Sequence, residues 1–575
     1  MRLGPITLFL SLLLAPCVLP SMEIFPLDAV EPGMRAQWTT RVEGNAMGTF
    51  ELEIIGRVPD YLGPGKDALL AKGLDADHIL SGPVAGMSGS PVTIDGQLVG
   101  AYAFGYLWPK EQAIIGITPA AFMLEILESG KLAHRTPAEG GLLTPLPTPL
   151  MASGFSQGTL DLFADQWAEL GLTLQAGGGS GGNIRSAGES AFDPGGALCA
   201  VLMYGDLTMG ATGTVTWRED DALLAFGHPF LQWGSIEMPF AEAEVMTIIR
   251  NLRSSFKFSK FGEPVGTLFA DRLSGVAGKI GVVPEMTRLT FRRTASGELL
   301  APDLSVQLFH HKDMTPLLAA TAVAEGLSST LENERERFVQ VEAAIGFRRE
   351  GGIPSSDEEL LEINLVGSGP GAAASLSLDL LDRLNALVEV GDEPVRLTSL
   401  NLTSREQGGD RRAVLHALDL PRQRVRSGET LSLTVHLKNS EAGMAPSLEV
   451  PLTLPQGLQP GNDLRLVICD AMERSRLLGL DGAWEGGLDA RLDSLREDVS
   501  PDGFAVLLLQ SAPGLASAEV SMEALPSSLR RELAGRDDLI TTNERVLSKT
   551  WIPLDALVSG NLQRNLTVIK SMPTP

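Results

Sequence analysis

GPVAGMSGSPVTIDGQLVGAY, residues 82–102, decides how the chain is read. Ser88 stands between Met87 and Gly89, with Gly86 two residues before it and Ser90-Pro91 just after. Asp95-Gly96 then separates two runs rich in β-type residues, which is the strongest short-range signal for a hairpin. Glycines at 86 and 89 permit backbone angles and close approaches that other residues resist. The stretch has two readings. A nucleophilic serine needs its hydroxyl on a tight turn, with backbone N–H groups nearby to hold an oxyanion. A Gly/Ser/Pro turn between two strands would be spelled the same way.

The residues after the serine narrow the choice. The elbow of α/β-hydrolases is spelled G-x-S-x-G and must lead into a helix. Here the last position is Ser90, and a proline and a hairpin come next. That context fits a chymotrypsin-like barrel, where the nucleophile lies in a loop just before a hairpin.

A second stretch, LLAFGHPFLQWGSIEMPF (residues 223–240), holds one of only seven histidines. His228 ends an apolar strand between Gly227 and Pro229, a good position for a general base and equally for a turn histidine bonded to backbone. Asp271, in LFADRLSGVAG, comes about forty residues after His228, the separation of histidine and aspartate in chymotrypsin-like enzymes. The alternative for Asp271 is a strand-end carboxylate paired with Arg272 or Lys279. Asp206 and Asp67 are weaker candidates. The adjacent His310 and His311 point to opposite faces of a strand, so no metal site is expected there. Gly177, Gly179 and Gly182 satisfy G-x-G-x-x-G, but no helix pattern comes after them; the segment reads as a linker and no cofactor is expected.

The two stretches together resemble the hallmark segments of the SpoIVB-type serine peptidases. These include the signalling peptidase of bacterial sporulation and a broader set of secreted bacterial proteins. The resemblance rests on VAGMSGSPVTIDGQLVGAYAFG and GTVTWREDDALLAFGHPF. MEIFPLDAVEPGM and SFKFSKFGEPVGTLFADRLSGVAGKIG add to it, so that it covers roughly residues 24–350. It implies Ser88 as nucleophile, His228 as general base and a trypsin-like double barrel. The backbone N–H groups of Ser88 and of Gly86 or Met87 would form the oxyanion hole. In the sporulation enzyme the histidine segment precedes the serine segment, after a PDZ domain. Here the serine comes first and no PDZ-like segment is seen, so the halves look permuted; a site is defined by geometry and not by chain order. The resemblance further implies a protein or peptide substrate drawn from a few envelope proteins, or the chain itself. The competing expectation is a catalytically silent envelope scaffold on the same barrels.

The rest of the chain sets the frame. With 575 residues, 62 glycines and 36 prolines, it is long enough for several domains and favours β architecture. A net charge of −25 makes nucleic acid and anionic lipid poor partners. Arg2 and the apolar run Ile6–Leu14 read as a secretory signal peptide, with Cys17 a poorly placed lipidation site, so an extracytoplasmic location is expected. No later segment is long and apolar enough for a spanning helix. Cys199 and Cys469 lie in apolar runs and read as buried free thiols. The expected organisation is a signal peptide (1–21), a Ser-bearing barrel half (22–145), and a helix with Gly-rich linker (146–190). Then come a His-bearing half (191–350), an Ig-like β-sandwich (351–470) and an α+β C-terminal region (471–575).

Overall fold

The computed structural model describes residues 22–570, apart from 106–112, 129–143, 146–147, 178–183, 251–254, 296, 329–336, 351–357, 389–392, 410, 440–442, 445–446, 481–486, 517–520, 523–525 and 534–539. The expected signal peptide and Cys17 lie outside the described residues. No helix among the described residues is long and apolar enough to cross a membrane.

The chain is mainly β, and its first unit is a closed barrel. Its strands are β1 (Arg35–Glu43), β2 (Ala46–Val58), β3 (Ala68–Gly73), β4 (Ser90–Ile94), β5 (Gln97–Gly105) and β6 (Ile114–Pro119). They pair in the order β4-β1-β2-β3-β6-β5, and β5 pairs back onto β4. The hairpin at Asp95-Gly96 forms as its spelling demands. Ile94 faces Gln97 across a two-residue loop whose residues have φ of 50° and 85°. Those positive angles are what a type I′ turn requires. Trp38, Leu52, Leu69, Val92, Tyr102 and Ile117 fill the barrel.

A second ring of pairings closes further along. Its strands are β7 (Ala197–Gly205), β8 (Thr208–Glu219), β9 (Ala222–Ala225), β10 (Gly234–Ile249), β11 (Ser255–Arg272) and β12 (Gly275–Ile280). They pair in the order β8-β9-β12-β11-β10-β7, and β7 returns to β8. Strands such as Thr208–Glu219, buried through their first ten residues, need no alternation because both faces are covered.

The two rings meet in an apolar seam. Leu98 and Ala101 of the first ring pack with Trp217, Leu224, Ala270 and Ala277 of the second, under the helix Ala120–Glu128. Each large apolar side chain fully buried there contributes about 1.5–3 kcal/mol.

The sheet of the second ring continues beyond it through strands Leu304–Leu308, Thr287–Ala295, Val395–Gly408, Arg337–Arg349 and Glu359–Ser368. Helices Thr315–Ser328 and Ala372–Val388 pack together in the same core. This moves two expected boundaries. Strands 359–368 and 395–408, expected in the sandwich, belong to the large sheet. The sandwich is instead built from two sheets drawn from residues 412–568, which share one core through Leu433, Val435, Leu466, Phe504, Val506 and Leu566. The parallel pairing of Arg412–Asp419 with Leu557–Ser559 ties the expected C-terminal region into it.

Candidate functional site in the seam between the barrels

Ser88 and His228 both come to the seam, each on a turn that only small residues allow. Gly89 has φ of +96°, and a Cβ there would lie 2.0 Å from Thr214 O and 2.5 Å from Phe226 N. The serine turn therefore touches the strand that leads to His228. Gly227 has φ of +69°, and a Cβ on it would lie 2.6 Å from Ala101 Cβ. Phe226 itself has φ of 65°, a conformation that a bulky residue adopts only when its surroundings impose it. The two motifs lock into each other. Thr214 N donates to Ser88 O at 2.9 Å, Thr216 Oγ1 to Gly89 O at 2.7 Å, and Thr118 Oγ1 to Gly227 O at 2.5 Å.

Within this lattice of bonded carbonyls, two reactive atoms stand alone. Ser88 Oγ and His228 Nε2 are buried and have no hydrogen-bond partner. No hydrogen bond links them to each other, and both residues are closed to solvent, with relative exposures of 0% and 1%. His228 Nδ1 lies 2.7 Å from Pro229 O. A carbonyl can only accept, so Nδ1 carries the proton and Nε2 of the neutral ring presents a lone pair. Burial draws the His228 pKa down to about 4, against a smaller upward pull from that carbonyl. The ring is thus neutral at neutral pH and in the tautomer a general base needs.

Asp271 does not orient this ring. Its carboxylate takes the backbone N–H groups of Phe230 at 2.8 Å, Leu231 at 2.7 Å and Trp233 at 3.4 Å. The turn after Pro229, with Gln232 at φ of 59°, wraps its amides around the carboxylate. Asp271 therefore fixes the loop beyond His228, and the carbonyl of Pro229 holds the ring. Burial raises the Asp271 pKa, opposed by those amides. Asp206 caps Ser305 N at 2.7 Å and Asp67 accepts from Asp60 N at 3.0 Å, so both serve other turns.

The expected oxyanion donors need one correction. Met87 N donates to Val84 O at 3.1 Å and is spent within the turn. Gly86 and Ser88 remain the candidate donors. Ser90 is structural: its hydroxyl donates to Met87 O at 2.6 Å and staples the turn.

One participant was not singled out in the sequence. Lys257, wholly buried on β11, places Nζ 2.7 Å from Thr40 Oγ1 and 3.0 Å from Thr214 Oγ1. Thr214 Oγ1 in turn donates to Gly86 O at 2.9 Å. Burial, and secondarily the nearby Arg41, draws the amine down to about 7. Lys257 thus braces the serine turn from beneath. Among the described residues no group of three or more His, Cys, Asp or Glu side chains is arranged to hold a metal ion. Cys199 and Cys469 are buried free thiols, and burial raises both pKa values.

Comparison with known proteins gives no match: no family model, no characterised protein and no solved structure resembles the chain significantly.

Proposed function

We propose that the chain is a secreted serine endopeptidase of the SpoIVB type, with Ser88 as nucleophile and His228 as general base. On this reading the two closed rings are the halves of a permuted chymotrypsin-like double barrel, and residues 412–568 an Ig-like module. The observation that carries it is the coincidence of two orphaned atoms. A buried hydroxyl and the unprotonated nitrogen of a neutral imidazole stand on interlocked, strained turns whose carbonyls are hydrogen-bonded. Buried polar atoms without partners are uncommon and concentrate where function requires them. In the reaction, Ser88 Oγ attacks a peptide carbonyl while His228 Nε2 takes its proton. The acyl-enzyme forms as the imidazolium returns that proton to the leaving amine, and water then releases the acid.

Because both residues are closed to solvent, the described state is a resting one, and substrate entry requires the turn 229–233 or the seam to open. The same closure supports the second reading, a catalytically silent scaffold in which the seam is only a joint. Incubation with a fluorophosphonate probe and then peptide mapping separates them. An adduct on Ser88 that disappears in Ser88→Ala supports the peptidase. No adduct on folded protein, under conditions where a trypsin control labels fully, supports the scaffold.

A further inference from the structure

Beneath the serine turn lies a cavity of about 330 Å³ that the proposed chemistry does not use. Met87, the residue before Ser88, forms one wall, so the cavity is continuous with the turn. Trp38 and Phe50, stacked with ring centroids 4.4 Å apart, form another. Ile248 adds apolar surface, and the exposed ion pair of Arg250 with Asp77, at 3.0 Å, stands at the rim.

The lining carries unsatisfied polar atoms. His78, 2% exposed, has no partner for either ring nitrogen, and Trp38 Nε1 also has none. Tyr102 Oη, behind them, is a further orphan; its ring centroid lies 5.2 Å from that of Trp38 and 6.0 Å from that of His78. Gly73 leaves room for the imidazole, since a Cβ there would lie 2.2 Å from His78 Nδ1. Burial draws the His78 pKa down to about 4, despite Asp75 nearby, so the ring is neutral at neutral pH. It then offers one N–H donor and one lone pair, a complement to a group that both donates and accepts.

We propose that this cavity receives a tyrosyl side chain of the peptide substrate, next to the bond held at Ser88. The flat aromatic walls suit a ring, and the orphaned donor and acceptor suit its hydroxyl. A volume near 330 Å³ is at the small end of ligand sites and fits a single side chain rather than a longer segment. A site that leaves polar groups unpaired discriminates strongly against the analogue lacking the hydroxyl. The inference rests on the peptidase reading for its place in a reaction, but the cavity can be tested without catalysis.

The test is titration of the full chain with N-acetyl-tyrosinamide and N-acetyl-phenylalaninamide, monitored by NMR or calorimetry. The tyrosine amide should bind at least about tenfold more tightly. His78→Phe should remove that difference. Thr49→Trp, at an exposed rim position, should abolish binding of both while leaving the circular dichroism spectrum unchanged. Equal affinities, no saturable binding, or undiminished binding in Thr49→Trp would overturn the inference. Labelling of Ser88 without tyrosinamide binding would defeat the pocket alone. Selective binding without labelling would leave the pocket standing and defeat the peptidase.

Discussion

The seam between the barrels and the sandwich at residues 412–568 are both β structures with buried interiors, yet they treat polar atoms differently. In the sandwich the shared core is aliphatic, from Leu431 and Leu433 to Leu566, with Phe504 the one aromatic among its described residues. Its hydroxyls are spent on the surface, as where Ser432 and Thr434 both donate to Glu449. At the seam, Ser88 Oγ and His228 Nε2 are buried without partners, and His78, Trp38 and Tyr102 repeat the pattern a short way off. Leaving a buried polar atom unpaired costs about 1–3 kcal/mol. In the sandwich that cost falls on two scattered, half-buried groups, Arg426 Nε and Ser500 Oγ, whereas around the seam it falls on several fully buried residues close together. The difference teaches where to look for chemistry: in the region that gives up stability, not in the one that maximises it.

The comparison can be broken most severely at the serine itself. Ser88→Ala should lower peptidase activity by on the order of a thousandfold or more while raising the unfolding midpoint, because the unpaired hydroxyl is removed. Ser90→Ala should act the other way, loosening the turn through its lost bond to Met87 O. Equal losses from both, measured as kcat/KM beside urea unfolding, would make the motif structural.

Glycine substitutions sharpen the contrast. Gly89→Ala places a methyl group 2.0 Å from a backbone oxygen and should cost more than about 3 kcal/mol, or prevent folding of the barrels. Gly457→Ala, at a sandwich turn with φ of +82° and nothing within 4 Å, should cost only about 1 kcal/mol. Chemical denaturation of the two variants checks the difference.

Acid should separate the regions as well. His228 and His78 are each held near 4, below their ordinary value of 6.5. Between those limits the unfolded chain binds protons that the native chain does not, so stability rises with pH. The contribution is fully present above about pH 6.5 and is lost as pH falls toward 4, by about 3 kcal/mol for each histidine. Hydrogen exchange of the full chain at pH 7 and pH 5 should show protection falling in the barrels and holding in residues 412–568. Uniform loss would place the acid sensitivity elsewhere.

The smallest effect expected on His228 itself is from Asp271→Asn. The amide keeps one acceptor for the loop amides, so about 1–3 kcal/mol should be lost. The NMR titration of His228 should shift little, because Pro229 O and not Asp271 holds its ring. A large change in that titration would restore Asp271 as the orienting residue.

Much of this was legible in the sequence, and the parts that were not share a cause. The Asp95-Gly96 hairpin comes from local chemistry, the turn residues and the β-type runs on either side; the meeting of the two motif turns was implied only by the resemblance. The membership of strands 395–408 and 359–368 in the large sheet does not come from local chemistry, because pairings such as Arg288 with Ser399 join residues far apart in sequence. The same holds at the site. Ser88 and His228 carry conspicuous neighbours, whereas His78 and Lys257 have plain ones and acquire their character only from burial among Trp38, Tyr102, Thr40 and Thr214. Asp271 shows the converse. Its spacing from His228 suggested a catalytic partner, but four consecutive amides of the turn at 230–233 claim the carboxylate.

The most direct measurement is the rate of Ser88 phosphonylation by a fluorophosphonate as a function of pH, in the natural chain and in His228→Gln. The account predicts that the natural chain labels at Ser88. Its rate should be flat through neutral pH and fall only as the medium approaches the depressed histidine value near 4, and the variant should label at least about a hundredfold more slowly. A rate indifferent to His228→Gln, or no label on folded protein at any pH, would contradict it.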